Sequence, residues 1–454
     1  IMLNSLEQLL AFINSWLWGR WLVFVLLALG ILYTITNGFV QIRHFKFIMK
    51  TTLIDSFKTR KVDQGNGSIS TFKAMMVTLA GNVGGGNVVG VATAIVSGGM
   101  GAVFWMWIAA FFGEALKYGE IVLSQLYRGR DKEGNLLSGP MYYIRDGLKM
   151  PWLGVVIAVL MCIKMMGANL VQSNTIASIM NTNYGVPTYL TGAILIVLLL
   201  SITLGGLKRL ANIAMNLVPA MSIFYIVIGI IVILLNITEL PNVLYTIFTQ
   251  AWSFDAAAGG TGGYVIARAM QYGIARGMYS NEAGEGSVPN AAATAKVSHP
   301  VKQGLTQAFG VYVDTLIICS ASAFLVLVSG QYEIGGKLTG IALVQKCLSS
   351  EVGTWAVYFV ALMITLFAFS SLVGNYYYGE ININVLSEHK AALYFLRAFT
   401  VAMVMMGSVA PLPLVWDMAD LFMAFLATTN LYAIARLFPR AKVALDDYLT
   451  QLRA

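Results

Sequence analysis

The stretch GNVGGGNVVG, residues 81–90, interrupts a long hydrophobic run with three consecutive glycines. Glycine in the middle of a helix costs about 1 kcal/mol relative to alanine, so this triplet predicts a helix break. A second interruption, SNEAGEGSVPN, occupies residues 280–290. Residues 84–88 and 284–288 both read G-x-G-[N/S]-V, at an offset of 200 residues. The two interruptions therefore stand at corresponding places in two halves of the chain.

The composition identifies the solvent around these breaks. Of 454 residues, 58% are hydrophobic and only 11% are charged, whereas about a quarter of the residues of a soluble protein are charged. Too few charges remain to cover a water-facing surface, so we expect a polytopic membrane protein. The three cysteines form no C-x-x-C pair and the three histidines form no cluster. Neither a disulfide framework nor a metal site is indicated.

Eleven hydrophobic segments are long enough to be spanning helices, each of which needs about 20 mostly apolar residues. They exceed the length of barrel strands and lack sustained two-residue alternation. We therefore expect an all-α integral membrane protein with about eleven transmembrane helices. The predicted spans are 16–40, 70–96, 101–127, 151–180, 187–205, 211–236, 263–295, 303–330, 353–382, 391–409 and 413–437.

Lysine and arginine predict the orientation of these helices. Stretches 41–70 and 128–150 are rich in both, while the alternate loops 97–100, 181–186 and 237–262 contain neither. Basic loops stay in the cytoplasm, which predicts an outside N-terminus and a cytoplasmic C-terminus. The predicted organisation follows from this alternation. It comprises an extra N-terminal helix and basic loop (1–69), a first five-helix repeat (70–236), an extracellular connection (237–262), an inverted second repeat (263–437) and a cytoplasmic tail (438–454).

The first break offers two kinds of binding group. Freed N–H groups at a half-helix start attract carboxylates, which makes Gly84, Gly85, Gly86 and Asn87 candidates for an anionic group. Freed carbonyls, with Gly81 and Val83 as candidates, favour Na⁺, a hard cation. Broken segments at corresponding positions in two halves are typical of a transporter's midplane site. The alternative is close helix packing, since residues 86 and 90 form G-x-x-x-G.

Polar residues in other segments extend this candidate site. Asn169 and Gln172 share a helix face and suit a zwitterion, or they bond neighbouring helices. Hydroxyls of Thr365, Ser370 and Ser371 are candidate Na⁺ ligands, or they bond their own backbone four residues back. Charged and polar residues of the second interruption are candidates for gating or coupling, or mark an interfacial position where two of them pair. That last group is Arg276, Asn281, Glu282 and Glu285, with Asp314 in the next segment as a further ion or proton relay.

The block GIARGMYSNEAGEGSVPNAAATAKVSHPVKQG, residues 273–304, resembles the R-G-x-x-S-N-E-A-G-x-G-S-x-P-x-A-A-A block of the alanine/glycine:cation symporters, also called sodium:alanine symporters. The resemblance extends over residues 60–440 and includes GNVGGGNVVGVATAI, GANLVQSNTIA, DTLIICSASAF, NYYYGE and VWDMADLF. It implies a LeuT-type fold of two inverted five-helix repeats plus an added first helix.

The resemblance also implies a function, a secondary transporter rather than an enzyme. It implies Na⁺-coupled import of small neutral amino acids, such as alanine or glycine, by alternating access in the prokaryotic cytoplasmic membrane. Its partners would be the amino acid, Na⁺ and the bilayer, without a further cofactor, nucleic acid or obligate protein partner. By position, residues 84–87 resemble the carboxylate site, Asn169, Gln172 and Gln271 face the substrate, and Ser370 and Ser371 resemble the sodium-site hydroxyls.

Two residues depart from the family pattern. The first break usually reads G-T-G-N, but residue 85 is glycine here, and Glu285 stands where a hydrophobic residue, often methionine, is common. A proton-coupled carrier, with Glu285 or Asp314 carrying the proton, and a carrier with a changed amino-acid substrate are therefore the alternatives. A channel would need a continuous polar pore. A membrane enzyme would need a nucleophile, base and orienting group together, which no motif indicates.

Overall fold

The chain folds almost entirely into helices. The computed structural model describes residues 2–50, 52, 70–130, 136–203, 206–252 and 262–453. Three parts of the predicted loops, 53–69, 131–135 and 253–261, lie outside the described residues. The described α-helices, in chain order, are α1 (Met2–Trp16), α2 (Val23–Thr36), α3 (Val40–Arg43), α4 (Phe45–Met49), α5 (Thr71–Asn82), α6 (Val89–Gly98), α7 (Gly101–Leu126), α8 (Pro140–Tyr142), α9 (Pro151–Tyr184), α10 (Thr188–Thr203), α11 (Gly206–Leu235), α12 (Leu240–Gln250), α13 (Gly262–Asn281), α14 (Pro289–Ala292), α15 (Pro300–Val311), α16 (Ser320–Ser329), α17 (Gly340–Val352), α18 (Thr354–Leu386), α19 (Lys390–Val409) and α20 (Leu412–Arg453).

Shorter elements connect or interrupt these helices. The described π-helical turns are Leu17–Leu22, Tyr143–Gly147 and Tyr312–Cys319, and a 3₁₀ turn covers Gly85–Asn87. Two short strands, β1 (Gly129–Arg130) and β2 (Leu136–Leu137), pair antiparallel. The first π turn joins α1 to α2, so that Glu7–Thr36 forms one continuous apolar helix.

The long helix α9 forms the centre of the packing. It packs against α18, α19 and α20. In its most apolar stretch, 72% is buried, compared with 28% for the most apolar stretch of α19. Gly407 of α19 permits the contact with α9, because a Cβ there would lie 2.5 Å from the Leu170 carbonyl oxygen. The helix ends at Gly185, which adopts the left-handed conformation that favours glycine. The polar residues in the middle of α9, between 164 and 175, are buried and consequently face other helices instead of lipid.

The outer helices leave their apolar side chains uncovered. Val197 and Phe395 are each 68% exposed and Leu234 is 62% exposed. Exposed apolar surface on this scale indicates a lipid-facing exterior. With nearly all described residues helical, this confirms the predicted class of all-α membrane protein.

Within the described ranges, seven helices are long and apolar enough to cross a membrane, or eight if the bent pair α5 and α6 counts as one span. Each of the eleven predicted segments is helical, but three do not meet that criterion. Helix α7 contains three buried charged residues, α10 has only 16 residues, and segment 263–295 is interrupted after Asn281. The count of eleven spans therefore stays a prediction.

Candidate functional site

The first break lies where the glycine triplet predicts it. Helix α5 ends at Asn82, residues 83 and 84 are extended, and α6 begins at Val89 after the 3₁₀ turn. The two half-helices are bent by 63°. All residues from 82 to 92 are buried. Helices α9, α13 and α18 and the π turn Tyr312–Cys319 surround the 3₁₀ turn, so the break is enclosed by protein, as an irregular backbone at membrane depth requires.

Two N–H groups freed by the break are held by amide side chains. The Gly84 N–H donates to Oδ1 of Asn87 at 2.8 Å, and the Gly85 N–H donates to Oε1 of Gln172 at 2.9 Å. The structure therefore brings Gln172 of α9 to the break, as the sequence predicts. An amide oxygen on each donor occupies the kind of position that a carboxylate oxygen would take, because both accept hydrogen bonds from N–H groups.

The glycines at the break are needed for close approach. A Cβ at Gly84 would lie 2.5 Å from Oγ of Ser371, and one at Gly86 would lie 2.7 Å from the Tyr279 ring. A Cβ at Gly85 would lie 2.7 Å from Oγ1 of Thr175. The hydroxyl of Thr175 thus stands in the space where the family has a threonine side chain on the break itself. Thr175, which lies one turn beyond Gln172 on α9, is not among the predicted site residues.

This arrangement predicts the outcome of restoring the family residue. Gly85→Thr alone is expected to lower amino-acid uptake about 5-fold or more, because overpacking costs about 1–3 kcal/mol and Thr175 is stiff at its first side-chain torsion. Adding Thr175→Ala vacates the space and is expected to recover most of the uptake. Thr175→Ala alone is the control. Initial uptake rates of all three variants, normalised to membrane expression, measure the effect; full activity of Gly85→Thr would contradict the clash.

Hydroxyls of α18 meet carbonyls at the end of α5. Ser371 Oγ lies 3.1 Å from the Ala80 carbonyl oxygen and 3.2 Å from that of Val83, and donates to them. Ser370 Oγ also donates to the Ala80 carbonyl, at 3.2 Å, and to that of Phe367, at 2.9 Å. Oxygen atoms of hydroxyl and carbonyl type thus converge between the first break and α18. Hard cations are held by such oxygens.

The sequence named Gly81 and Thr365 with this group, and the structure places them differently. The facing carbonyl is that of Ala80, one residue earlier, because Ala80 lies one helical turn before Val83. Gly81 instead packs against the Tyr378 ring, to which a Cβ would come within 3.5 Å. Oγ1 of Thr365 is buried and has no hydrogen-bond partner among the described residues.

A carboxylate closes the other side of the 3₁₀ turn. Asp314, fully buried in the π turn Tyr312–Cys319, accepts from Nδ2 of Asn87 at 2.6 Å and from Oγ of Ser280 at 2.5 Å. Asn87 Nδ2 also lies 2.8 Å from Oγ of Ser280. The predicted residues Asn87 and Asp314 are thus brought together, and Ser280 joins them. π-Helical turns are frequent at functional sites.

Of the two remaining predicted substrate residues, one lies on the helix face that carries Gln172 and the other lies away from the break. Asn169 accepts from Nδ2 of Asn375 at 3.1 Å, while its own Nδ2 is buried without a hydrogen-bond partner among the described residues. That free amide lies on the α9 face that carries Gln172. Gln271 lies on α13 beside Gly19, where a Cβ would come within 3.4 Å of its Oε1. It is therefore more than two turns of α13 from Ser280, and the structure does not bring it to the break.

The second break begins after Asn281 and requires unusual backbone angles. Glu282, Gly284 and Gly286 have positive φ angles of 53°, 79° and 91°, and α14 resumes at Pro289. A non-glycine residue in this region is uncommon, and strained backbone of this kind tends to cluster at functional sites. The corresponding glycines of the first break have no positive φ. The shared five-residue motif therefore marks the same location, not the same conformation.

Asn281 links the two breaks. Its carbonyl oxygen accepts from Nδ2 of Asn82, the last residue of α5, at 3.0 Å, and from Nζ of Lys117 at 2.7 Å. Its side chain donates to Oγ1 of Thr315 at 3.0 Å and accepts from the Ala283 N–H at 2.9 Å. A movement of α13 would thus be felt directly at the end of α5.

The charged residues of the second break pair with distant partners. Arg276 does not pair with Glu282; its guanidinium donates to both oxygens of Asp420 on α20, at 2.6 and 2.7 Å, and stacks 4.0 Å above the Trp416 ring. Glu282 accepts from Nζ of Lys164 on α9 at 2.7 Å. Lys164 also forms an ion pair with Glu285. Sequence spacing gives no sign of these contacts, which join residues more than 100 positions apart.

Comparison with known proteins gives a consistent result. The model of the sodium:alanine symporter family matches residues 3–454. A probable sodium/glutamine symporter of Bacillus subtilis is 43% identical over 100% of this chain and 93% of its own. A sodium/alanine symporter of Methanococcus maripaludis is 36% identical over 93% of this chain and 92% of its own. Among solved structures, a manganese transporter of Eremococcus coleocola superposes with a TM-score of 0.52 at 13% identity, over 83% of this chain and 78% of that chain. The last likeness concerns the fold alone.

Proposed function

Because this chain belongs to the sodium:alanine symporter family, we propose that it imports small neutral amino acids, alanine or glycine among them, by Na⁺-coupled alternating access. It is a multi-pass membrane transporter and not an enzyme. The observation that supports the proposal most is the first break itself. There, Ser370 and Ser371 face freed carbonyls on one side, and the Gly84 and Gly85 N–H groups are directed at amide oxygens on the other.

The two ends of this break are suited to different parts of the cargo. Carbonyls of Ala80 and Val83, with the hydroxyls of α18, offer oxygen ligands to Na⁺. The N–H groups of Gly84 and Gly85 offer donors to the substrate carboxylate, which displaces the side-chain oxygens that they bind now. The free amide of Asn169 is a further donor on the same side. Both ligands then bind the same broken segment, so that occupation by one favours the other.

The cluster around Asp314 supplies a further role in coupling. Its carboxylate, the Asn87 amide and the Ser280 hydroxyl join the first break, α13 and the π turn at one point. We propose that this cluster responds to a cation bound near Asn87, because the positive charge of the cation would attract the same oxygen atoms. Transport then requires the second, third, seventh and eighth predicted segments to rock against the remaining helices around the breaks. In the orientation that the basic loops predict, the N-terminus lies outside the cell. We propose the cytoplasmic membrane of a prokaryote as the location.

A second candidate substrate is a larger amide amino acid. The relative at 43% identity is named a probable sodium/glutamine symporter, and Gly85 lacks the side chain that the family commonly has on the break. The Thr175 hydroxyl occupies part of the space that such a side chain would take, so the glycine alone does not decide the size of the substrate. Alanine and glutamine must therefore be compared in the same assay.

The test is uptake into proteoliposomes that contain the purified chain. We expect radiolabelled alanine, glycine or glutamine to accumulate under an inward Na⁺ gradient and not under an equal K⁺ gradient. Accumulation under an H⁺ gradient without Na⁺ would establish the proton-coupled alternative instead. Failure of a complete amino-acid panel under both gradients would reject the carrier assignment.

The Na⁺ assignment has its own variant. Ser371→Ala removes a hydroxyl that faces two carbonyls, and we expect the Na⁺ concentration for half-maximal uptake to rise at least about 5-fold, since one hydrogen-bonding group contributes roughly 1 kcal/mol or more. Ser329→Ala is the matched control, because the Ser329 hydroxyl donates to the Val326 carbonyl of its own helix and accepts from the nearby Gln331 N–H, away from both breaks. An unchanged Na⁺ dependence in Ser371→Ala would remove this hydroxyl from the ion site.

A further inference from the structure

Buried carboxylates outnumber buried ammonium groups at the second break. Five charged side chains meet there, and none is more than 3% exposed. They are Lys117 and Glu120 of α7, Lys164 of α9, and Glu282 and Glu285 of the break. Two lysines face three glutamates, which leaves one uncompensated negative charge if all five are ionised. Within a protein interior such a charge is costly and is normally paired or neutralised.

The hydrogen bonds show which carboxylates lack compensation. Glu282 is satisfied, because one oxygen accepts from Lys164 at 2.7 Å and the other accepts from Oγ of Ser287 at 2.6 Å. Lys117 donates to the carbonyl oxygen of Asn281 and not to a carboxylate. Within the described residues, Lys164 is therefore the only cation in direct contact with any of the three glutamates, and Glu282 and Glu285 share it.

Glu120 and Glu285 hold the excess charge between them. Glu120 accepts through Oε2 from the Gly286 N–H and from Nδ2 of Asn430, both at 3.1 Å, while its Oε1 is buried without a partner among the described residues. Glu285 forms an ion pair with Lys164, but neither of its oxygens accepts a hydrogen bond of ordinary geometry from the described part of the chain. The two carboxylates flank Gly286 and repel each other. Two such groups in a dry site do not both ionise readily.

We propose that Glu120 and Glu285 form a proton-binding site, which holds one proton while the second break is enclosed and releases it to water when the break opens. With that proton, two ammonium groups face two carboxylates, and these five residues are neutral together. Asp314, whose charge also acts on Lys117, is a separate carboxylate held by the Asn87 amide and the Ser280 hydroxyl. On opening, the O–H bond of the carboxylic acid breaks, the proton passes to water, and the carboxylate that remains is hydrated. The opening step rests on the proposed alternating access.

The other groups around Glu285 are compatible with this assignment. The titratable side chains that face it are Lys117, Glu120, Lys164, Glu282, Tyr279 and Tyr378. None adds a further positive charge. A metal cation at Glu285 would meet the Lys164 ammonium already in contact with it, whereas a proton adds no ligand requirement. Glu285→Met, the residue common in the family, leaves two ammonium groups and two carboxylates and removes the need for a proton.

Transport provides the first test. In proteoliposomes with a pH-sensitive dye inside, substrate uptake by the wild-type chain under a Na⁺ gradient is expected to be accompanied by a substrate-dependent pH change. The ratio of protons moved to amino acid moved should fall at least 5-fold in Glu285→Met and in Glu285→Gln. Glu239→Gln, the same change at an exposed carboxylate, should leave the ratio unaltered. Equal ratios in all variants would overturn the proposal.

A sodium ion is the competing occupant and gives a different result. If the cluster takes Na⁺, the pH change is absent in the wild-type chain and the ratio of ²²Na⁺ to amino acid falls by about one in Glu285→Met. That outcome would overturn the proton assignment. Absence of all amino-acid uptake by the wild-type chain would reject the proposed function, and the proton site is then decided by stability.

Thermal unfolding in detergent needs no transport. The folded cluster binds a proton at pH values where an unfolded glutamate has lost it, so this cluster's contribution to stability declines as pH rises. We expect the melting midpoint of the wild-type chain and of Glu239→Gln to fall by about 2 °C per pH unit or more between pH 5.5 and 8.5. The slope should be clearly smaller in Glu285→Met. Identical slopes in all three proteins would overturn the proposal.

Discussion

Asn87→Ala is expected to lower Na⁺-driven amino-acid uptake by at least about 10-fold in kcat/KM. The Asn87 side chain accepts from the Gly84 N–H and donates to Asp314 and Ser280, so one substitution releases the break from both neighbours. A hydrogen bond to a charged group contributes about 1.5–3 kcal/mol, which corresponds to roughly 10- to 150-fold in rate. Because all three groups are buried, water does not readily replace the amide.

The control for this variant is Cys319→Ala. The Cys319 thiol touches the same cluster, at 3.4 Å from Nδ2 of Asn87 and 3.1 Å from Oγ of Ser280. A thiol is a weak donor and acceptor, so we expect uptake within about 3-fold of the wild-type rate. Both variants should reach similar expression and elute as monodisperse protein. Normal uptake by Asn87→Ala would show that the 3₁₀ turn is not part of the transport site.

The location of both breaks could be predicted from local sequence alone. Glycine triplets and G-x-G patterns act through backbone conformation, which depends on adjacent residues. Accordingly α5 ends at Asn82 and α13 ends at Asn281, each just before the motif. The backbone angles could not be predicted in the same way, since the glycines at 284 and 286 have positive φ and those at 84–86 do not. Surrounding helices, which differ between the two places, decide that difference.

Contacts between helices were harder to predict than the positions of residues along one helix. The shared face of Asn169 and Gln172 follows from helical spacing, and Gln172 does reach Gly85. The sequence predicted the carbonyl of Gly81 for the ion site, whereas the hydroxyls of α18 face that of Ala80, because the rotation of α5 about its axis is set by contacts with α18. Gln271 was assigned to the substrate site by resemblance, but it lies beside Gly19 of the first helix. No local sequence pattern predicts how that helix packs.

The ion-pair partners of the charged residues were also beyond prediction from local sequence. The low overall charge identified a membrane protein, and the sequence singled out the few charges in the second break as unusual. Their partners, Asp420 and Lys164, lie on α20 and α9, and only the packed fold brings them together. The balance of charge at Glu285 depends on those partners. The sequence shows that Glu285 departs from the family pattern, but only the structure shows which charges surround it.

The pair between Arg276 and Asp420 predicts the largest loss of stability. Arg276 is 3% exposed, and Arg276→Met leaves the Asp420 carboxylate nearly buried without its cation. Breaking a buried ion pair by removing one partner costs about 3–5 kcal/mol. We expect the melting midpoint in detergent to fall by about 10 °C, taking roughly 2–4 °C per kcal/mol. Loss of the contact with Trp416 adds to the effect.

The double variant Arg276→Met with Asp420→Asn separates stability from gating. It removes both charges, so the melting midpoint should recover at least half of the loss, since replacing a whole buried pair is often nearly neutral. A melting midpoint of Arg276→Met within about 2 °C of wild type would contradict the structural role of the pair. If the double variant is stable but transports poorly, the link between α13 and α20 is needed for movement of the second break. If it is stable and transports normally, Arg276 only holds the fold, and gating must be sought at Glu282, Glu285 and Asn281, where α13 meets α5 and α9.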